Sequence, residues 1–565
     1  MITFEDYTYE RPNLQVEKDK FSGLLQAFKA ADSFNKATKA MEEINTFRNR
    51  LSTLSELVYI RATINTNDAF YQKERDFFDE LEPELQALST EFYKALVKSS
   101  YREQLEAQWG SQFFSIADLE IQSFSPEVIH LLQKENRLSS EYAKLVASAE
   151  VEFQGETYTI AQLTPFSQDK DRSTRKKAVE ASFGFYEGHV AKFDDIYDQL
   201  VKTRHEIATT LGYKNFVELG YKRMQRIDYD AEMVHVFRKQ VRDYVVPLVT
   251  KLYEKQAERI GVDALKFYDE GFTFKSGNAT PKGPPGWIVE NGTKMYSELS
   301  AETDAFFHYM LDRNLMDLEA KKGKESGGYC TFIEDYQSPF IFSNFNGTSG
   351  DIDVLTHEAG HAFQFYSSRD IAVPEYRFPT SEAAEIHSMS MEFFTWPWME
   401  LFFKEDADKY RYSHLADTLQ FLPYGVAVDE FQHLIYENPN WTPDERKAAW
   451  KKLEETYLPH RDYDGITYLE AGAFWQRQSH IYEIPFYYID YTLAQVCAFQ
   501  FWKKSRDDQE SAWHDYYHLC KLGGSKPFLE LVEAANLRSP FEEGTVESIV
   551  KAVDDWLDAI DDKAL

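Results

Sequence analysis

Apolar residues recur every three to four positions through most of this chain, which is the spacing of one buried helix face. The stretch FSGLLQAFKAADSFNKATKAMEEINTFRNRL, residues 21–51, is typical of the pattern. Helix-breaking residues are rare in the first two hundred positions, which hold only five of the 25 glycines: Gly23, Gly110, Gly155, Gly184 and Gly188. The pattern predicts a mostly α fold with long helices at its start.

Three stretches depart from the helical spacing. AEVEFQGETYTIAQL alternates apolar and polar residues around Gln154 and Gly155, which indicates a β-hairpin. Residues 329–333 and 340–345 form two short β-like runs joined by a turn, which predicts a small sheet. Residues 271–292 are rich in Gly, Pro and Asn and predict a loop or hairpin insertion.

Several helix starts carry capping signals. Ser125 precedes Pro126, and Thr442 lies three residues before Glu445, which is the spacing of a capping box. Thr545 opens a final helix with one apolar stripe. We expect these stripes to form core rather than a cofactor site.

The chain has 565 residues, which is more than one compact core usually holds. Two lobes are therefore expected: an N-terminal helical lobe over residues 1–200 and a catalytic region over residues 201–565. Hydrophobic residues make up 43% of the chain, enough for a large buried interior.

Charge and cysteine content limit the partners and the compartment. The net charge of −32 argues against nucleic acid and against anionic membranes, because both require a basic surface. No apolar run is long enough to span a bilayer, and no secretory signal is visible at the start. Three cysteines without metal-type spacing are typical of a reducing compartment, so a cytoplasmic location is expected.

The candidate chemistry lies directly after the predicted sheet, in DVLTHEAGHAFQF. His357 and His361 are four residues apart and would present both imidazoles on one helix face, as two ligands of a metal ion do. Glu358 lies between them, where it could act as the general base of a zinc hydrolase. The competing interpretation is a pair of exposed helical histidines.

A third ligand would decide the class of zinc site. One class of zinc peptidase has a third histidine six residues after the second, but position 367 is Ser367 here, so that class is excluded. The other class takes a glutamate from a following helix, and PTSEAAEIHSMSMEFFTW offers Glu382, Glu385 and Glu392. We predict Glu385 as the ligand and Glu382 as the alternative. Glu392 is placed to orient a ligating histidine.

Three stretches together resemble one known family: HEAGHAFQF, EIHSMSMEFF at this spacing, and SHIYEIPFYYIDYTLAQVCAFQFW. They are similar to the thimet-oligopeptidase family of zinc metallopeptidases, in the branch of oligoendopeptidase F and the bacterial Pz-peptidases. The similarity extends over most of the chain. It implies two helical lobes that enclose a deep channel, with the small sheet beside the zinc-binding helix.

The resemblance also implies roles for individual residues. His357, His361 and Glu385 match the ligands of one Zn2+, and Glu358 matches the general base. His480 matches a histidine that closes over the scissile carbonyl, and Tyr488 and Tyr491 match the tyrosines that follow it. In the neighbouring register the tyrosines would be Tyr482 and Tyr487.

The expected activity is therefore zinc-dependent hydrolysis of internal bonds in short peptides. Residues 340–345 are expected to pair with the substrate backbone as an added strand. Two alternatives stay open: an exopeptidase of the same zinc class that removes C-terminal dipeptides, and a peptide-binding protein with a structural metal. The sequence does not determine the oligomeric state.

Overall fold

The computed structural model describes residues 2–565, and helices dominate it. Over those residues the α-helices are α1 (Leu14–Lys29), α2 (Phe34–Ile64), α3 (Ala69–Val97), α4 (Arg102–Trp109), α5 (Ser111–Ser123), α6 (Ile129–Ala147), α7 (Ile160–Ser167), α8 (Arg172–Gly188), α9 (Val190–Thr210), α10 (Phe216–Arg223), α11 (Ala231–Gln240), α12 (Val246–Ile260), α13 (Pro285–Leu299), α14 (Ala301–Asp312), α15 (Gly350–Ser368), α16 (Ser381–Phe394), α17 (Met399–Phe403), α18 (Ala407–Glu437), α19 (Pro443–Tyr457), α20 (Thr467–Glu470), α21 (Ser479–Glu483), α22 (Ile489–Asp507), α23 (Gln509–Leu522), α24 (Phe528–Ala534) and α25 (Thr545–Asp558). The prediction of a mostly α fold is confirmed. None of the described helices is both long and apolar enough to cross a membrane.

Two small sheets interrupt the helices. Strands β1 (Val151–Phe153) and β2 (Glu156–Tyr158) form the predicted antiparallel hairpin, with Gln154 and Gly155 both at positive φ in the turn. The second sheet contains β3 (Met316–Glu319), β4 (Tyr329–Ile333) and β5 (Ser338–Phe345) in the order β3-β5-β4. The pattern predicted β4 and β5, but it missed β3, a four-residue strand with two acidic residues.

The order of this sheet corrects one expectation. β5 pairs in parallel with β3 on one side and antiparallel with β4 on the other. Both of its edges are occupied, so the predicted pairing of residues 340–345 with a substrate backbone is wrong. The edge strands of this sheet are β3 and β4, so a peptide could be added only at one of these two.

The Gly- and Pro-rich stretch is also only partly a loop. The chain is irregular up to Pro284, but α13 begins at Pro285, so the predicted loop over residues 285–292 is wrong. Proline favours the first turn of a helix because its φ is already helical. Gly292 lies inside α13, is buried, and a Cβ there would be at an ordinary van der Waals distance of 3.5 Å from Leu355 Cδ2, so it is a helical core position rather than a turn.

The predicted capping signals open helices. Ser125 accepts a hydrogen bond from the backbone N–H of Glu127, just before α6, and Thr442 forms a capping box with Glu445 at the start of α19. The last helix, α25, begins at Thr545 as expected. Here local sequence and the final fold agree.

Buried apolar side chains form two large clusters. One contains residues of α1–α5 together with Val373 and Tyr376. The larger one contains residues from most of the remaining chain. The predicted boundary at residue 200 falls within α9, which is unbroken from Val190 to Thr210. Helix α16, which carries the candidate ligand Glu385, packs against both α15 and α22 inside the larger cluster.

Candidate metal centre and active site

Helix α15 carries the His-Glu-x-x-His motif and starts directly after β5. The Asp351 carboxylate accepts hydrogen bonds from the backbone N–H groups of Asn346 (2.8 Å) and Gly347 (2.9 Å), which fixes the turn between strand and helix. His357 and His361 then leave the same face of α15, toward α16.

The fold brings His357, His361 and Glu385 together. Glu385 Oε2 lies 3.2 Å from His357 Nε2 and 3.4 Å from His361 Nε2. One ligand atom from each residue lies within 4.8 Å of the other two. Tetrahedral zinc bonds of about 2.0–2.1 Å put neighbouring ligand atoms about 3.3 Å apart. The group therefore has the dimensions of a zinc site.

Hydrogen bonding orients the ring of His357 for a metal. Its Nδ1 lies 2.7 Å from a Glu392 oxygen, and a carboxylate can only accept, so Nδ1 carries a proton. In the neutral ring Nε2 then points its lone pair at Glu385, an arrangement that a cation between them would stabilise. Burial lowers the pKa of His357, but hydrogen bonds to Glu385 and Glu392 outweigh it and hold that pKa well above its usual value, so a proton can replace the cation.

Glu392 also binds a residue that the sequence did not single out. Its second carboxylate oxygen lies 2.7 Å from Nε2 of His414, and Trp396 Nε1 donates to Nδ1 of the same ring at 3.2 Å. His414 lies on α18, in a stretch without a motif. Only the packing of α18 beside α16 shows that it supports the ring of His357 through Glu392.

A glycine inside the motif lets α15 and α16 approach closely. A Cβ built on Gly360 would lie 2.6 Å from the backbone oxygen of His387 and 2.6 Å from Cα of Ser388. Any side chain there would push α16 away. The close approach of α15 and α16 places Glu385 beside His357 and His361.

The alternative ligand Glu382 lies elsewhere on α16. Its side chain is fully buried beside Arg226, and burial raises the pKa of Glu382 to about 7 against the effect of Arg226. The group of candidate ligand atoms that the described residues form contains Glu385 and not Glu382. The geometry therefore favours the first of the two predicted ligands.

We expect Glu382→Gln to keep any bound zinc and to stabilise the fold at high pH. The folded-state pKa of about 7 is above the ordinary 4.5, so the folded chain holds a proton that the unfolded chain releases, and stability falls as pH rises through that window. Glutamine cannot ionise, so urea unfolding should show a gain of about 1–3 kcal/mol at pH 8 and almost none at pH 4.5. An equal gain at both pH values would contradict the assignment.

Glu358 faces the space beside the two histidines. It is buried, and its Oε2 has no hydrogen-bond partner among the described residues. Desolvation raises the pKa of Glu358, and the charges of His357 and His361 oppose that rise. Gly328 packs its backbone against this carboxylate, because a Cβ there would be 3.3 Å from Glu358 Oε1. One oxygen thus remains available to accept a proton.

His480 is held in one tautomer. Burial lowers the pKa of His480 to about 4, so the ring is neutral at pH 7. Tyr424 donates to Oε1 of Gln478 at 2.9 Å, which turns the Gln478 amide N–H toward His480 Nδ1 at 2.8 Å. Nδ1 therefore accepts, and Nε2 donates to the Tyr491 oxygen at 3.0 Å. The hydroxyl hydrogen of Tyr491 is therefore available for a different acceptor.

The other tyrosines separate into three environments. The Tyr487 hydroxyl donates to Oε1 of Glu385. The Tyr488 ring packs 5.1 Å from the ring of His480. Tyr482 is fully buried and stacks on a tyrosine of α6 at 3.9 Å, away from the histidines. The structure thus places Tyr487, rather than Tyr488 or Tyr482, against the carboxylate of the metal group.

A cavity of about 580 Å³ lies between the N-terminal helices and the segment that follows His480. Both arginines among its described lining residues are already paired: Arg75 with Glu325 at 2.7 Å and Arg223 with Glu135 at 2.9 Å. Its other charged lining residues are acidic, namely Asp79, Glu82, Glu120 and Glu483. Its described lining includes none of the candidate active-site residues His357, Glu358, His361, Glu385, His480 and Tyr491.

Comparison with known proteins identifies the family of the chain. The profile described as Peptidase family M3 matches residues 166–282 and 289–551, and that of the Peptidase M3 N-terminal domain matches residues 4–124. An oligoendopeptidase F homolog from Borreliella burgdorferi is 24% identical over 441 residues, which cover 72% of this chain and 71% of that protein.

Solved structures extend the agreement to the whole chain. A Pz peptidase A structure with an inhibitor is 61% identical, with a TM-score of 0.99, over 99% of this chain and 100% of that one. Oligoendopeptidase-F from Enterococcus faecium, 16% identical with a TM-score of 0.65 over 98% and 99% of the chains, shares the fold. The resemblance found in the motifs is confirmed: this chain belongs to peptidase family M3, in the oligoendopeptidase F and Pz-peptidase branch.

Proposed function

We propose that this peptidase is a zinc-dependent endopeptidase that hydrolyses internal bonds of short peptides. The observation that carries the proposal is the convergence of His357, His361 and Glu385 at the spacing of a tetrahedral zinc site, with Glu358 beside them. A purely structural zinc usually has four protein ligands, whereas these three leave a position for chemistry. This argues against the peptide-binding alternative.

Zinc, when bound, would acidify water and polarise the peptide carbonyl. Glu358 supplies the proton transfers: its unpartnered oxygen accepts a proton from the attacking water and later delivers it to the leaving amine. Its raised pKa suits both steps, because a less acidic carboxyl group binds the proton from water more readily and can hold it until the amine leaves.

Tyr491 and His480 stabilise the charge that develops on the carbonyl oxygen. Neutral His480 donates its Nε2–H to the Tyr491 oxygen, so the Tyr491 hydroxyl can donate its own hydrogen to the substrate. Tyr487 holds the Glu385 carboxylate and fixes its orientation. Tyr488 supports the ring of His480 by packing.

The edge strand β4 is the proposed docking strand for the substrate backbone. Ile341 donates its N–H to Leu315, away from β4, so Cys330, which pairs with Ile341, directs its own N–H and C=O to the open edge. Phe332, two residues further along β4, directs its N–H and C=O to the same edge as Cys330. Its partner on β5 is Pro339, which has no N–H to donate. An extended peptide could therefore form main-chain hydrogen bonds along β4.

Similarity to proteins named oligoendopeptidase F favours endopeptidase over dipeptidyl-carboxypeptidase activity. Release of C-terminal dipeptides would require a cation that holds the terminal carboxylate of the substrate. Three unpaired cysteines support a cytoplasmic setting.

Metal analysis and peptide digestion test the proposal together. We expect about one zinc per chain, loss of turnover on chelation and recovery on zinc addition, because the three ligands form a single site. Peptides blocked at both ends should be cut at internal bonds, as mass spectrometry of the products would show. Cleavage that requires a free C-terminus and releases dipeptides would favour the exopeptidase. Turnover that survives complete metal removal would refute the mechanism.

A further inference from the structure

Phe486 has an unusual backbone conformation next to the active site. Its φ is +68°, in the left-handed region that residues with a side chain rarely adopt. The next residue is Tyr487, whose hydroxyl reaches Glu385. Because relaxation of φ at Phe486 would rotate the chain that follows, the position of Tyr487 depends on what holds Phe486.

Buried side chains from two other parts of the fold hold both backbone polar groups of Phe486. Its N–H donates to Oε1 of Gln432, on α18, at 2.8 Å. Its carbonyl accepts from Nη2 of Arg226, which follows α10, at 2.5 Å. The same Arg226 nitrogen donates to Asp490 at 2.9 Å, and the side chains of this ion pair are fully buried. The segment is therefore fastened on both sides of Tyr487.

The side chain of Phe486 is confined as well. Its ring is fully buried, and a Cβ on Gly220 would lie 2.5 Å from Phe486 Cδ2, so glycine makes the space that the ring occupies. The ring packs edge-on against Tyr221 at 5.5 Å and His433 at 5.0 Å. Because the ring is held in place, the two backbone hydrogen bonds of Phe486 determine the direction in which the chain continues toward Tyr487.

We propose that Gln432 and Arg226 are positioning residues: they hold Phe486 in its left-handed conformation and thereby place the Tyr487 hydroxyl on Glu385. Neither is part of the metal group or of the pair His480 and Tyr491, so they act through another residue. The catalytic consequence rests on the proposed zinc-peptidase function. The conformational claim does not, because it concerns the metal-free chain.

Hydrogen–deuterium exchange of the metal-free full chain tests the conformational claim. In Gln432→Met, amides of residues 484–491 should exchange at least about 10-fold faster than in wild type, because the Phe486 N–H loses its acceptor. The matched control is Gln256→Met: Gln256 is a buried glutamine that donates to the backbone carbonyls of Glu270 (2.9 Å) and Phe272 (3.0 Å) instead. It should leave 484–491 unchanged. Wild-type exchange in Gln432→Met, or equal acceleration in both variants, would overturn the proposal.

A double-mutant cycle tests the catalytic consequence. Gln432→Met should lower kcat by about 10-fold or more with KM within about 3-fold, and in a Tyr487→Phe background the same change should have little further effect, because both act on one hydroxyl. Losses that multiply, or an unaltered kcat in Tyr487→Phe, would overturn it. If wild type itself shows no zinc-dependent peptide hydrolysis, the proposed function fails, and the exchange experiment still judges the positioning claim.

Discussion

Glu358→Gln should nearly abolish peptide hydrolysis while leaving zinc content near one per chain. Glutamine has the size of glutamate but cannot accept a proton at neutral pH, so the general base is lost without a cavity. General acid–base groups contribute about 10²- to 10⁴-fold, so kcat/KM should fall by roughly 10³-fold, or about 4 kcal/mol of transition-state stabilisation. Steady-state kinetics on an end-blocked peptide, with metal analysis of the same sample, measures both quantities.

The stability of this variant provides a second readout. The folded-state pKa of Glu358 is raised above 4.5, so ionisation as pH rises destabilises the metal-free fold, and glutamine removes that effect. The metal-free variant should therefore be at least as stable as wild type at pH 7. Glu382→Gln is the matched control, since it changes a buried glutamate outside the metal group and should keep full turnover. Retained turnover in Glu358→Gln would refute the proposed general base.

Gly360→Ala should weaken zinc binding and destabilise the fold. In an unconstrained helix this change stabilises by about 1 kcal/mol, because alanine is the better helix former. Here the new Cβ would meet backbone atoms of α16 at 2.6 Å, and overpacking of this kind costs about 1–3 kcal/mol. The shift of α16 would move Glu385 away from His357 and His361. We therefore expect zinc affinity to fall by about 10- to 100-fold, as it does when a residue that orients a metal ligand is removed.

The control for this prediction is Gly184→Ala. Gly184 lies in α8, is exposed, and a Cβ there would have no neighbour within 4 Å. This variant should gain about 0.5–1 kcal/mol in urea unfolding and keep the wild-type zinc affinity. A competition titration with a zinc chelator compares the two. Gly360→Ala with unchanged affinity would show that the close contact of α15 and α16 does not position Glu385.

The local sequence was sufficient for much of the fold. Helical spacing, the Gln154–Gly155 hairpin and the capping box at Thr442 all matched the structure, because each depends on residues a few positions apart. Where a local signal has two physical meanings, the prediction failed. Residues 285–292 contain proline and glycine, which indicate a loop, yet proline also starts helices and Gly292 is a buried position inside α13.

For the candidate site, the sequence determined the donor types and their spacing. His357, Glu358 and His361 share one helical turn, and the 24 residues from His361 to Glu385 suit a second helix, so these residues could be named without coordinates. Only the tertiary structure showed that Tyr487 contacts Glu385 and that His414 lies behind Glu392. It also showed that β4 rather than β5 has an open edge, and that Phe486 has a left-handed backbone conformation. Those features depend on contacts between residues far apart in the chain, which helix periodicity and motif spacing do not encode.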